Sequence, residues 1–261
     1  MGYQHIRYET PEPHIVVVTL NRPERLNALH GPLLVELMHA VQAIEQDDAV
    51  RVFLLTGAPR TDGRPCFSAG VDLKAAAEGN AIPPGLGLDL TNAIDDLLKP
   101  SIAVIDGVCT TGAAEIAIAC DLRVVSATAQ ISDWHLKNLG TGTGGWGAST
   151  RWSRLVGPSK AKELILTGKV IGGEEAHRIG FANAVHPPEK LMPEALAMAR
   201  AIAGMKPEGV RLTLAHIDRN MDMSRDQALR WAQLAGKWFN VQSGIRERGS
   251  EILEESKKRP A

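Results

Sequence analysis

Gly107-Val-Cys-Thr-Thr-Gly-Ala-Ala-Glu-Ile-Ala-Ile-Ala-Cys-Asp121 is the stretch on which the fold turns. It follows Ser101-Ile-Ala-Val-Ile105, a β-branched run bounded by Pro100 and Asp106-Gly107 that reads as a buried strand. A loop then opens a helix. Thr110, Thr111, Gly112, Ala113 and Ala114 let other atoms approach the backbone closely, and the first turn of a helix offers N–H groups with no intrahelical partner. Such a place suits an anion. Glu115 stands on that first turn among residues too small to shield it, as a group needed for proton transfer would. A Glu near a helix start also complements the helix dipole, and tight core packing also favours Gly and Ala, so this stretch alone leaves both readings open.

Upstream, Cys66-Phe-Ser-Ala-Gly-Val-Asp-Leu73 repeats the pattern. Ser68, Ala69 and Gly70 again precede a predicted helix, whose early Asp72 favours its N-terminus. Before this loop come a β-branched strand over 14–20, a turn at Asn21-Arg-Pro23 and a helix from Gly31-Pro32. Leu34, Leu37, Met38, Val41 and Ile44 give that helix one buried face, and a strand over 51–56 comes next. Residues 79–90 are too rich in Gly and Pro for regular structure before Leu88, and a helix over 90–98 ends before Pro100.

Downstream, 121–126 reads as a strand and 129–132 as a short continuation. Residues 133–140 are irregular and carry ionisable side chains beside an aromatic. Gly140, Gly142 and Gly145 satisfy G-x-G-x-x-G, but polar residues precede them and Glu163 lies inside a predicted helix. They therefore read as a close-packing loop and not as a dinucleotide site. Helices are predicted over 158–166, 173–179, 189–203, 207–220, 224–241 and 244–258, so a helical layer is added to an α/β core.

The 261 residues, 44% of them hydrophobic, can bury a sizeable core. With 29 basic against 30 acidic residues the charge gives no nucleic-acid footprint. Three cysteines without metal-type spacing fit a reducing compartment, and eight scattered histidines with no H-x-x-x-H pair argue against zinc. No apolar run reaches membrane-spanning length, and the N-terminus lacks a basic head followed by an apolar run. The expectation is a cytoplasmic protein without nucleic-acid or membrane partners.

With both loops in hand, the sequence resembles the crotonase, or enoyl-CoA hydratase/isomerase, superfamily along nearly its whole length. Asn21-Arg-Pro-Glu-Arg-Leu-Asn-Ala-Leu29 looks like the first signature, Phe67–Leu73 like the A-G-x-D loop, and 107–121 like the central G-x-x-x-G-x-x-E segment. Arg154-Leu-Val-Gly157, Leu166-Thr-Gly168, 176–180 and 243–253 fall where later landmarks do. The resemblance implies an α/β spiral of ββα turns over 1–200. It implies a C-terminal helical region over 201–261 that serves the substrate pocket and assembly into trimers or hexamers. It also implies an acyl-CoA thioester as substrate, with coenzyme A entering as part of it and no separate cofactor or metal.

Carried over by position, the backbone N–H groups of Val71 and Gly112 would form the oxyanion hole and Glu115 would be the principal acid/base. Arg25, Ala28, Ser68, Ala69, Gly70, Asp72, Leu73 and Thr111 would line the substrate path, with 79–98 and the C-terminal helices shaping the acyl pocket. An enolate forming on a thioester needs two such donors, and losing one typically costs about 3 kcal/mol.

The family's two-carboxylate hydratases carry a second Glu about 20 residues after the first, giving the site one acid and one base. Here that position falls on His135, or on Trp134 if counted back from the glycines, and neither is a carboxylate. Three possibilities are open: His135 replaces the Glu, Asp133 reaches in, or Glu115 works alone. Trp134 and Trp146 read as packing surface. The leading expectation is hydration of an enoyl-CoA or the reverse dehydration of a 3-hydroxyacyl-CoA. Double-bond isomerisation by Glu115 alone is the runner-up, and a catalytically silent binder of CoA esters or of a protein is the alternative of another class.

Overall fold

Strand β2 (Ile15–Leu20) is buried at every position, so it must be covered on both faces. The computed structural model describes residues 2–238 and 241–257 and shows how. Strands β1 (Ile6–Glu12), β2, β3 (Val52–Gly57), β5 (Ser101–Ile105), β7 (Leu122–Ser126) and β9 (Ala184–His186) form one sheet in the order β1-β2-β3-β5-β7-β9. Only the β1–β2 pair is antiparallel.

Successive side chains point to opposite faces of such a sheet. Val16, Val18, Leu20, Phe53, Leu55, Ala103 and Ile105 enter one core with helix α1 (Gly31–Gln46), α3 (Leu86–Asp95) and α4 (Gly112–Ala119). Ile15, Val17, Val52, Leu54, Ile102 and Val104 enter a second core against Leu191, Ala195 and Ala199 of α9 (Pro188–Ala203).

A second sheet sets the site. Strands β4 (Cys66–Ser68), β6 (Val108–Thr110) and β8 (Gln130–Ser132) run parallel in that order. Each comes after a strand of the large sheet and precedes a helix: β3-β4-α2 (Leu73–Ala77), β5-β6-α4 and β7-β8-α5 (His135–Leu139). The chain is thus an α/β spiral of ββα turns whose second strands lie side by side. The segments leaving β4, β6 and β8 are therefore brought to one end of the small sheet. Helices α6 (Ala148–Val156), α7 (Pro158–Thr167) and α8 (Gly173–Arg178) complete this part of the chain.

Residues up to Val210 form one compact unit and those from Arg211 a second. The second contains the remainder of α10 (Pro207–Asn220), α11 (Arg225–Trp238) and α12 (Val241–Lys257). Within it, His216 stacks on Trp231 with ring centroids 4.8 Å apart. Among the described residues no helix is long and apolar enough to cross a membrane.

Several expected elements differ. Strand β1 escapes a hydrophobic pattern because only Ile6 is fully buried and Pro11 interrupts it, which an edge strand tolerates. Strands β4 and β6 are three residues long, too short for a period to show. Residues 133–140, expected to be irregular, contain α5. Helix α3 begins at Leu86, earlier than expected, and ends at Asp95. Helix α6 buries only Ala148 and Trp152, so it carries little apolar signal. The helix predicted over 224–241 is found as α11 up to Trp238, and its positions 239 and 240 lie outside the described residues. The next helix starts earlier than predicted, at Val241, and position 258 also lies outside.

Candidate active site

Every residue of α4, Gly112 to Ala119, is buried, and Glu115 is its one charged side chain, 1% exposed. A helix apolar all round belongs in the interior, where burying Ile116 and Ile118 contributes roughly 1.5–3 kcal/mol each. A carboxylate there costs several kcal/mol unless it is well bonded. Glu115 Oε1 accepts from the backbone N–H groups of Trp146 at 2.9 Å and Ala148 at 3.1 Å. Its other oxygen, Oε2, lies 3.3 Å from Nε2 of His135.

The loop supplying those two donors explains the glycines before it. Gly144 has φ +67, and a Cβ there would overlap Ala148 and come 2.7 Å from Glu115 Oε1. The glycine that this close packing requires is thus Gly144, which is not one of the three glycines of the G-x-G-x-x-G match. Sequence reasoning missed these donors because a backbone N–H leaves no residue-type signature. The Gly144-Gly145 pair ahead of α6 was the available signal.

After β8, Asp133 Oδ1 accepts from the His135 backbone N–H at 3.0 Å and lies 3.0 Å from His135 Nδ1. Trp134 points elsewhere, its Nε1–H donating to the Gly168 carbonyl at 2.9 Å. Thus His135, and not Trp134, faces Glu115. Asp133 touches the imidazole from behind. The Asp133 and His135 side chains are 0% and 8% exposed, and Asp133 Oδ2 is buried with no hydrogen-bond partner among the described residues. Burial opposes a charge on His135, but the hydrogen bonds and negative charges of Asp133 and Glu115 outweigh it and lift its pKa to about 9. Near neutrality the ring is an imidazolium between two carboxyl groups.

The loops after β4 and β6 converge beside this chain. Gly70 has φ +82, and a Cβ on it would come 2.8 Å from the Thr110 carbonyl and 3.6 Å from Gly112 N. A Cβ on Gly112 would meet Val71 Cγ2 at 3.3 Å. Thr111 holds the strained combination φ 57, ψ −117, with its N–H donating to the Ser132 carbonyl at 3.0 Å. Main-chain bonds of the neighbours Leu29→Gly70 and Asp72→Leu29, both 2.8 Å, fix the loop around Val71. Among the described residues, neither the Val71 nor the Gly112 N–H donates to a backbone carbonyl of this loop, and Gly112 opens a helix.

The other expected residues surround these loops. Ser68 Oγ accepts from Gly70 N–H at 3.2 Å, and Ala69 N–H donates to Leu26 at 3.0 Å. Ala28 is buried, Leu73 is exposed at the start of α2, and the partly exposed Arg25 lies 3.6 Å from Glu78. The Asp72 side chain is buried against Arg22 at 3.1 Å and accepts from Ala75 N–H at 2.9 Å, while Arg22 also donates to the Ala28 carbonyl. Arg22 and Asn27 were not singled out by sequence. Asn27, with φ 52, bonds the Ala58 and Cys66 carbonyls and ties the first signature to β4.

The family model for Enoyl-CoA hydratase/isomerase matches residues 10–258. A short-chain-enoyl-CoA hydratase from Clostridium acetobutylicum is 37% identical over 237 residues, covering 88% of each chain. A crotonyl-CoA hydratase from Syntrophomonas wolfei is 35% identical, covering 88% of this chain and 87% of that one. Among solved structures, an enoyl-CoA hydratase from Bacillus anthracis superposes with a TM-score of 0.87 at 30% identity over 97% of both chains. A domain architecture of ββα turns, a whole-chain family match and relatives of this similarity lead to one conclusion: the chain belongs to the enoyl-CoA hydratase/isomerase family of the crotonase superfamily, and it is an enzyme of that family.

Proposed function

We propose that the enzyme adds water across the double bond of a 2-enoyl-CoA and removes it from the 3-hydroxyacyl-CoA, with His135 in the place of a second carboxylate. The observation that carries this reading is the 3.3 Å approach of Glu115 Oε2 to His135 Nε2, with Asp133 behind the ring. The names of the relatives support the substrate class.

In the hydration direction, the Glu115 carboxylate takes a proton from water as its oxygen bonds to C3. The π electrons move to the thioester oxygen, which accepts from the N–H groups of Val71 and Gly112. His135 Nε2–H then gives its proton to C2 as the carbonyl re-forms. Glu115 is left protonated and His135 neutral, and a proton passing directly from Oε2 to Nε2 restores the start. Asp133 keeps Nδ1–H in place, so that Nε2 is the nitrogen that trades protons. Ser68, Ala69, Gly70 and Thr111 hold the two donor loops. Arg25, Ala28, Asp72 and Leu73 flank the path proposed for the CoA moiety. The helical region 201–261 is proposed to serve assembly into trimers or hexamers.

Incubation with crotonyl-CoA tests the reaction by mass analysis of the product. Gain of one water supports the proposal. An unchanged mass with 3-enoyl-CoA converted to 2-enoyl-CoA would instead identify an isomerase.

A further inference from the structure

Trp146 occupies more of the site than its main-chain bond to Glu115 requires. The indole lies between α3 and the start of α4. A Cβ on Gly87 of α3 would overlap its five-membered ring, and a Cβ on Gly112 would come 2.8 Å from Cζ3 and 3.3 Å from Cη2. Its six-membered edge and Val71 Cγ2 thus close on the same face of Gly112, the residue whose N–H would hold the thioester oxygen.

The main chain that carries the indole is anchored on both sides. The Trp146 N–H is bonded to Glu115, and its carbonyl accepts from Thr91 Oγ1 at 2.9 Å and from Arg151 at 2.7 Å. Arg151 is in turn held by Asp95 at 3.0 Å and Asn92 at 2.8 Å. Three elements, α3, α4 and α6, therefore fix the backbone of Trp146, and its ring packs against Gly87 and Gly112. No glycine could be replaced at 87 or 112 without moving it.

We infer that Trp146 ends the acyl pocket just past the reacting carbons and so restricts the enzyme to short acyl chains. The inference rests on the hydratase reading for where the reacting carbons lie. With the thioester oxygen at Val71 and Gly112 and C2 and C3 facing Glu115 and His135, atoms beyond C4 on the α3 side meet the indole. A rigid wall discriminates by overlap, and one methylene too many costs roughly tenfold or more in kcat/KM. The sequence suggested that 79–98 shapes this pocket; Trp146 covers that side of it by packing on Gly87.

The test compares kcat/KM for 2-enoyl-CoA thioesters of four, eight and twelve carbons in wild type, Trp146→Ala and Trp146→Phe. Calorimetric binding of saturated butyryl-CoA and octanoyl-CoA is measured alongside. Wild type is expected to favour four carbons over eight by about tenfold or more. Trp146→Ala is expected to raise the eight-to-four ratio by about tenfold, with Trp146→Phe shifting it less. The inference is overturned if wild type handles eight carbons as well as four, or if the ratio in both variants stays within about twofold of wild type. Should Trp146→Ala not fold, the ratio in Trp146→Phe decides. Should no thioester gain water, the hydratase reading fails, and the butyryl-to-octanoyl binding ratio in wild type and variants decides the pocket inference by itself.

Discussion

Glu115 Oε2 and His135 Nε2 face each other at 3.3 Å, while Asp133 Oδ1 stands 3.0 Å from the opposite ring nitrogen. Each nitrogen of the imidazole therefore has its own carboxyl partner. Carboxyl groups against both nitrogens favour the charged form of the ring. The proposed mechanism draws its proton from the cation held there. The departure from a two-Glu pattern thus leaves an acid and a base in contact.

Asp133 is expected to set the pH range. With the His135 pKa near 9, kcat/KM for hydration should fall above about pH 9, where the free enzyme loses the imidazolium proton. Asp133→Asn removes one raising charge, and the limb should move down by about one pH unit with kcat reduced roughly tenfold. An unmoved limb would mean that Asp133 does not act through the ring.

The same group links pH to stability. His135 binds its proton more tightly folded than unfolded, since the value rises from 6.5 to about 9. Its contribution is fully present below pH 6.5 and is lost as pH rises through about 9, a loss of about 3 kcal/mol at most. Urea unfolding at intervals from pH 6 to pH 10 should show this decline in wild type and a flatter profile in His135→Gln.

Gly70→Ala should damage chemistry more than folding. The new Cβ would press on the Thr110 carbonyl at 2.8 Å and on Thr111 Cβ at 3.4 Å, spreading the loops that carry the Val71 and Gly112 N–H groups. A kcat loss of about a hundredfold or more is expected, alongside a stability loss of about 1–3 kcal/mol. Gly63→Ala is the control: φ is +81 but nothing lies within 4 Å of its Cβ, so it should cost stability and leave kcat intact.

Arg22→Ala should be among the most destabilising changes near the site. Burial disfavours the Asp72 carboxylate, yet the Ala75 N–H and the Arg22 guanidinium hold its pKa below the usual range. Removing Arg22 leaves that charge buried and unpaired by its cation and frees the Ala28 carbonyl, a loss of about 3–5 kcal/mol. Denaturant midpoints of Arg22→Ala and Arg22→Lys would check it, with Lys recovering part of the loss.

How much of this was legible depends on the physics of each signal. The buried strands 14–20 and 101–105 and the periodic helix from Gly31 advertise themselves because side-chain burial repeats with the backbone period. Strands of three residues do not. Residues 66–68 and 108–110 could be read only as loops of small residues, although they form the sheet that brings Val71, Gly112 and His135 together. Glu115 was visible because a lone carboxylate in a Gly/Ala helix demands partners. Those partners, the N–H groups of Trp146 and Ala148, were not, since main-chain donors have no letter in the sequence. The choice between Trp134 and His135 could not be made by counting. It depends on a turn of α5 that starts at His135 and on the Trp134 indole reaching Gly168.

The measurement closest to the central claim is crotonyl-CoA hydration by wild type, Glu115→Gln, His135→Ala and His135→Glu, monitored by loss of enoyl absorbance and gain of water mass. With Glu115 and His135 as the proton-handling pair, Glu115→Gln and His135→Ala should each lose about a hundredfold to ten-thousandfold in kcat, and His135→Glu should recover part of it. Hydration by His135→Ala within about tenfold of wild type would contradict the account and leave Glu115 working alone.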